Sequence, residues 1–88
     1  MRKPASQGPP VKRWMREHGR EVTAAAIAIG MSTHILHRKV NGITLFTYAE
    51  ALDLARFERA EIAELFPDND GIDPREVRAH LSVAEGVA

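Results

Sequence analysis

Residues 22–42, VTAAAIAIGMSTHILHRKVNG, constrain the fold of this chain more than any other stretch. Val22, Ala25, Ala26 and Ile29 recur at the spacing of one helical face. Gly30 follows, a residue that tolerates the left-handed conformation in which a Cβ is strained, so it predicts the end of that helix. Ser32 is suited to cap the next helix, because its hydroxyl can satisfy an amide that has no partner within the first turn. In that second helix Leu36 and Val40 stand one turn apart and point inward. His34, His37 and Arg38 are left on another face, and Asn41-Gly42 closes the segment.

Length and composition bound what surrounds this pair. At 88 residues, 44% of them apolar, there is room for one small domain with a modest core and no deep catalytic cleft. The absence of cysteine excludes disulfides and thiolate metal sites and fits a reducing interior. The longest apolar run, Ala24 to Met31, falls far short of the ~20 residues that span a bilayer. The N-terminus lacks the apolar core of a secretory signal, so the expected compartment is the cytoplasm. Formal net charge is zero, yet residues 1–44 hold eight basic against two acidic side chains and the remainder four against ten. Such segregation suits a basic face turned to a polyanion, and equally a set of solvated helix faces.

Residues 1–10, rich in Pro, Gly and small polar side chains, are expected to form an arm. Arg2 and Lys3 in it could reach a DNA groove or phosphate, or the arm could simply be an idle tail. A first helix is predicted from about Val11 to His18, between Pro10 and Gly19, with Val11, Trp14, Met15 and His18 as its core stripe. Lys12, Arg13, Arg16 and Arg20 lie off that stripe and add to the basic surface. Thr47-Tyr48-Ala49-Glu50 has the form of a capping box. It predicts a fourth helix from Tyr48 to about Arg56 that turns Tyr48, Ala51, Leu52 and Ala55 inward. A fifth, about Arg59 to Phe66, alternates Ile62, Leu65 and Phe66 with Glu58, Glu61 and Glu64, and Pro67 ends it. The acidic stretch 68–73, DNDGID, fails as a calcium loop, because Phe66 and Val77 would fall where its two strongest ligands belong. It reads as a polar linker, with Asp73 capping a short last helix over about 74–81.

No nucleophile with a base and an orienting group stands out, and no glycine-rich phosphate loop is present. His34 and His37 share a helical face and could hold a metal only with further ligands from His18, His80 or a carboxylate. They could also be exposed polar residues without a task. The favoured reading turns them toward a groove of DNA, where an imidazole can donate to or accept from base edges or phosphates. Neither a metal nor a cofactor is expected.

The run from Ala25 to Gly42, with Ala26, Gly30, Met31, Ser32, Leu36, Arg38, Lys39, Val40 and Asn41, resembles the helix-turn-helix of the Cro/CI-type regulators, the lambda-repressor-like group also called XRE. The likeness continues through Phe46, Thr47, Glu50, Ala55 and Leu65-Phe66, and so covers about residues 11–66. It implies an all-α fold, a small five-helix helix-turn-helix bundle, here followed by a short additional C-terminal helix. The helix from Ser32 to Val40 would enter the major groove. Thr33, His34, His37 and Arg38 would read bases, and Ser32, Lys39, Asn41 and Thr44 would lie near phosphates. Two positions depart from the family pattern. Val22 stands where Gln is frequent and Glu21 where a capping Thr is common, which leaves the amide of Val22 or Thr23 as the phosphate contact there.

The resemblance implies a sequence-specific transcriptional regulator of bacterial or phage type, a repressor that occludes a promoter as a homodimer on an inverted repeat of double-stranded DNA. Residues 67–88 have no counterpart in the family pattern and are the candidate dimer contact. The alternative is a protein-interaction module, antitoxin-like or polymerase-binding, that works through the acidic second half, Glu58, Glu61 and Glu64 above all. An enzyme ranks behind both.

Overall fold

Helix α1 (Pro10–Glu17) starts at a proline, whose missing N–H would have had no intrahelical partner in the first turn. Helix α2 (Val22–Ile29) stops at Gly30, which adopts φ 73°, and Met31 N–H closes the end by donating to Ala26 O at 2.9 Å. Helix α3 (Thr33–Val40) is capped by Ser32, whose hydroxyl oxygen accepts from Ile35 N–H at 3.1 Å. The computed structural model describes residues 8–87, with side chains as far as Leu81. The expected arm contacts Arg2 and Lys3 lie outside the described residues.

Helix α4 (Tyr48–Glu58) has the expected reciprocal cap. Glu50 N–H donates to Thr47 Oγ1 at 3.1 Å and Thr47 N–H to Glu50 Oε1 at 2.9 Å. It runs past Arg56 to Glu58 and ends at Arg59, which takes the left-handed conformation at φ 57°. The predicted fifth helix is therefore shorter than its apolar pattern suggests. Helix α5 (Ile62–Leu65) begins where Glu61 N–H donates to Glu64 Oε1 at 3.1 Å, so Glu64, expected only as alternating surface charge, caps the helix start. Helix α6 (Pro74–Val87) is longer than the predicted 74–81. Asp73 starts it by accepting from Arg75 N–H at 2.9 Å, while Arg75 Nη2 reaches the same carboxylate at 3.0 Å.

Helix α2 occupies the middle of the packing. Its Ala25 and Ala26 are fully buried, and it packs against both α3 and α4. Around it lie Leu36 and Val40 of α3 and Ala51, Leu54 and Ala55 of α4. Helix α1 contributes Val11 and Met15 and packs against α5. His18, expected in that stripe, is instead exposed and stacks on Trp14 with ring centroids 3.9 Å apart. In α4 the buried leucine is Leu54, and Leu52 is only half-buried.

The polar linker also differs from expectation, because Ile72 is part of the core. A single backbone bridge pairs it with Phe46. Phe46 N–H donates to Gly71 O and Asp73 N–H to Phe46 O, both at 2.9 Å. Phe46 meets Phe66 edge-on at 4.9 Å, so both loops are tied into one core. Helix α6 packs on α4, where His80 stacks on Tyr48 at 4.2 Å. Its own domain thus supplies a packing partner for this amphipathic helix. Among the described residues no helix is long and apolar enough to cross a membrane.

Glu58 departs furthest from the sequence reading. Placed there among exposed acids, it is buried, and Arg20 Nε donates to its Oε1. Arg20, expected on the free basic surface, is thereby committed to an ion pair.

Two tests follow from the packing. Ala26→Leu forces extra methylenes into a filled crossing and is expected to cost ~1–3 kcal/mol, whereas Ala28→Leu, on the exposed side of the same helix, should stay within ~0.5 kcal/mol. Urea titrations of the two variants, equal in added volume, check this. The second test concerns acid. Hydrogen bonds from the Arg75 side chain and amide hold the Asp73 carboxyl below its ordinary value of 3.8. Its contribution is present above that value and is lost as pH falls through the lower, folded one. Asp73→Asn should accordingly reduce the loss of helicity below pH 3.8, as followed by circular dichroism.

Candidate nucleic-acid interface

Helix α3 divides its side chains by angle. Leu36 and Val40 anchor it, at 0% and 3% exposure. At about 100° per residue, His34 and Arg38 lie roughly opposite those anchors, and His37 sits about a quarter-turn round from them. His34, His37 and Arg38 are all exposed, and among the described residues none has a side-chain hydrogen bond or ion pair. Thr33 is half-buried at the start of the helix. The expected base readers thus fall into an outward pair, His34 and Arg38, and two flanking residues, Thr33 and His37.

The residues expected near phosphates do not all share one situation. Ser32 and Asn41 are exposed at the two ends of α3, Thr44 is half-buried just beyond it, and Thr23 is exposed in the first turn of α2. Ser32 uses its oxygen as the helix cap, which leaves its hydroxyl proton free to donate outward. Beyond Asn41, Gly42 takes φ 82°, and a Cβ there would meet Pro9 Cγ at 2.9 Å. That glycine therefore fixes where the chain leaves the helix, and Ile43 N–H seals the end against Arg38 O at 2.9 Å.

Lys39 requires a correction. Its side chain is only 13% exposed, donates to Leu45 O at 2.8 Å and pairs with Glu50 Oε1 at 3.1 Å. It also lies 6.0 Å from the centre of the Phe46 ring. A lysine so engaged is not placed to meet a phosphate. It ties the end of α3 to the loop and to the cap of α4. The one-turn spacing from Ile35 to Lys39 gave no hint of this, because the partner carboxylate comes from another helix.

The start of α2 matches the two departures from the family pattern. Glu21 makes no side-chain cap bond, so the first-turn amides have no side-chain acceptor there, and their partial positive charge remains for an outside anion. Apolar side chains are also exposed nearby in sequence. Ile27 is 76% exposed, Ile43 62% and Ile35 47%. Ile27 lies off the stripe of Val22, Ala25, Ala26 and Ile29, and the exposed Thr23 one turn before it is the single polar residue of this alanine-rich helix that marks the outer side.

Among the described residues no three histidine, cysteine or carboxylate side chains gather closely enough to hold a metal ion. Among those residues His34 and His37 therefore have no third ligand at hand.

No protein-family model, curated protein or solved structure matches this chain.

The placement of Lys39 gives a clear expectation. Lys39→Ala removes a partly buried pair and a hydrogen bond and should cost about 1 kcal/mol of stability, measured by urea unfolding. Unchanged stability together with a weaker, less salt-sensitive interaction with DNA would return Lys39 to the role of a phosphate contact.

Proposed function

We propose that this chain is a sequence-specific DNA-binding transcriptional regulator of the Cro/CI, lambda-repressor-like type, which lays helix α3 in the major groove. The observation that carries this reading is the outward pair His34 and Arg38, exposed and unpaired among the described residues, on a helix fixed from behind by Leu36, Val40 and Lys39. A helix presented in this way suits the major groove, where each base pair displays a distinct pattern of donors, acceptors and methyl groups. Arg38 can pair bidentately with guanine, His34 can address a neighbouring acceptor, and the half-exposed Ile35 can meet a thymine methyl. Ser32, Asn41, Thr44 and the amide of Thr23 would set the register against phosphates, as such contacts do in general.

In this reading the protein is a homodimer in the cytoplasm, bound to an inverted repeat of double-stranded DNA, and it represses by occupying a promoter. One domain of this size covers few base pairs, and a second half-site multiplies affinity. It performs no catalysis and needs no cofactor. The alternative, a protein-interaction module working through the acidic second half, loses support from Glu58. That residue is buried and paired, so of the three carboxylates on which that reading leaned only Glu61 and Glu64 stay on the surface.

Selection of bound sites from random duplexes, followed by fluorescence titration, tests the proposal. Two half-sites about 34 Å apart along the helix axis are expected. Arg38→Ala should lose preference at one base pair by ~1–3 kcal/mol. Failure of the wild type to enrich any sequence would sink the reading, and undiminished preference in Arg38→Ala would sink the register.

A further inference from the structure

Between α1 and the C-terminal half of α3 lies a cleft of about 330 Å³. Lys12, Arg16 and Arg20 line it from the side of α1, and His37 and Asn41 from α3. Met15 and Val40, at 2% and 3% exposure, form its apolar floor. Among the described residues no carboxylate lines it.

The three cations are not equivalent. Arg20 is engaged by Glu58, so its charge is already balanced. Lys12 and Arg16 have no ion-pair partner among the described residues, yet they stand four residues apart on one helix, a spacing at which like charges repel. Two unbalanced cations held over an apolar floor form a site for an anion. The opposite lip supplies the polar complement, an imidazole and an amide that can each donate a hydrogen bond.

We propose that this cleft seats a backbone phosphodiester of the bound DNA, clamped by Lys12 and Arg16 on one lip and by His37 and Asn41 on the other. The inference rests on the DNA-binding reading above and deepens it. His37 is what links the cleft to that DNA. It lies about a quarter-turn from Arg38 on the same helix, so an anion held here flanks whatever α3 reads. When a helix lies in the major groove, the group beside the base edges is the phosphate strand that walls the groove. His37 is thereby a positioning contact, not a base reader, and reading contracts to Thr33, His34 and Arg38. Helix α1, which the sequence suggested only as general basic surface, becomes the second arm of a clamp on one strand.

The test uses the full chain with two duplexes, the selected site and an unrelated sequence, titrated over a series of salt concentrations. Lys12→Gln with Arg16→Gln removes both charges while keeping much of the side-chain stems, and thermal melting verifies the fold. The double variant should weaken both duplexes by the same factor and make the salt slope shallower by roughly one per occupied cleft. His37→Gln should weaken both duplexes alike and leave the order of base preference intact, whereas His34→Ala should change that order. An unchanged salt slope in the double variant, with wild-type DNA binding intact, overturns the clamp alone. A change of preference at one base pair in His37→Gln returns that residue to base reading and overturns its assigned role. Inorganic phosphate is titrated separately, with the His37 ring followed by NMR. Saturable binding that the double variant abolishes, without any change in its DNA salt slope, would make the cleft a free-anion site and overturn the assignment. If the wild type binds neither duplex, the clamp and the DNA-binding reading fall together.

Discussion

The close crossing at Ala25 and Ala26 is the constraint on which the other elements depend. Both side chains are fully buried, and a methyl group is the largest substituent that lets the backbone of α2 approach two helices at once. This approach fixes the angle at which α3 leaves the turn at Gly30. Leu36 and Val40 then lock that angle, because they are the only residues of α3 that reach the core among its eight. An outward side for His34 and Arg38 is the geometric remainder. In so small a core the surface of α3 is decided from within.

Helix α4 supplies the second constraint, through charge. Its first turn carries Glu50, which holds Lys39 of α3, and its last residue is Glu58, which holds Arg20 from the loop after α1. One helix thereby ties down both neighbours at its two ends. The two pairs differ in consequence, because only one contains a carboxylate cut off from water. Glu58 has a side chain at 0% exposure, so removing its partner would strand a charge, whereas Lys39 and Glu50 retain some access to water. The charge segregation seen along the chain is thus partly cancelled across the fold, since carboxylates of the acidic half neutralise cations of the basic half. Among the described residues, the cations of the basic half that stay uncompensated are more local: Lys12, Arg13 and Arg16 on α1, and Arg38 on α3.

Much of the architecture was legible wherever one residue acts on its own backbone. Gly30 stops α2, Ser32 caps α3, and the Thr47 to Glu50 box starts α4, each within a few residues and so visible to pattern alone. Features that depend on partners remote in sequence were not legible. Glu58 looked like one more surface acid because its partner lies 38 residues away. Ile72 was hidden in a polar stretch because its burial depends on a bridge to Phe46. Lys39 resembled its basic neighbours until the loop at Leu45 and the cap at Glu50 were folded against it. The candidate site was legible in part for the same reason. Helical angle identifies which α3 residues face outward, but not that α1 stands beside His37.

That neighbour changes how α3 should be divided. A lone amphipathic helix would offer His34, His37 and Arg38 as one reading surface. With α1 alongside, His37 and Asn41 face a cleft whose other lip carries Lys12 and Arg16, while His34 and Arg38 face open solvent. Neighbouring residues on one helix can then serve different ends. In the proposed complex, those beside a second basic helix share an anion with it, and those beyond its reach are left to discriminate between bases. If α3 reads DNA as proposed, affinity and specificity are separated by about a quarter-turn of that helix, and the boundary between them is set by the packing of α1.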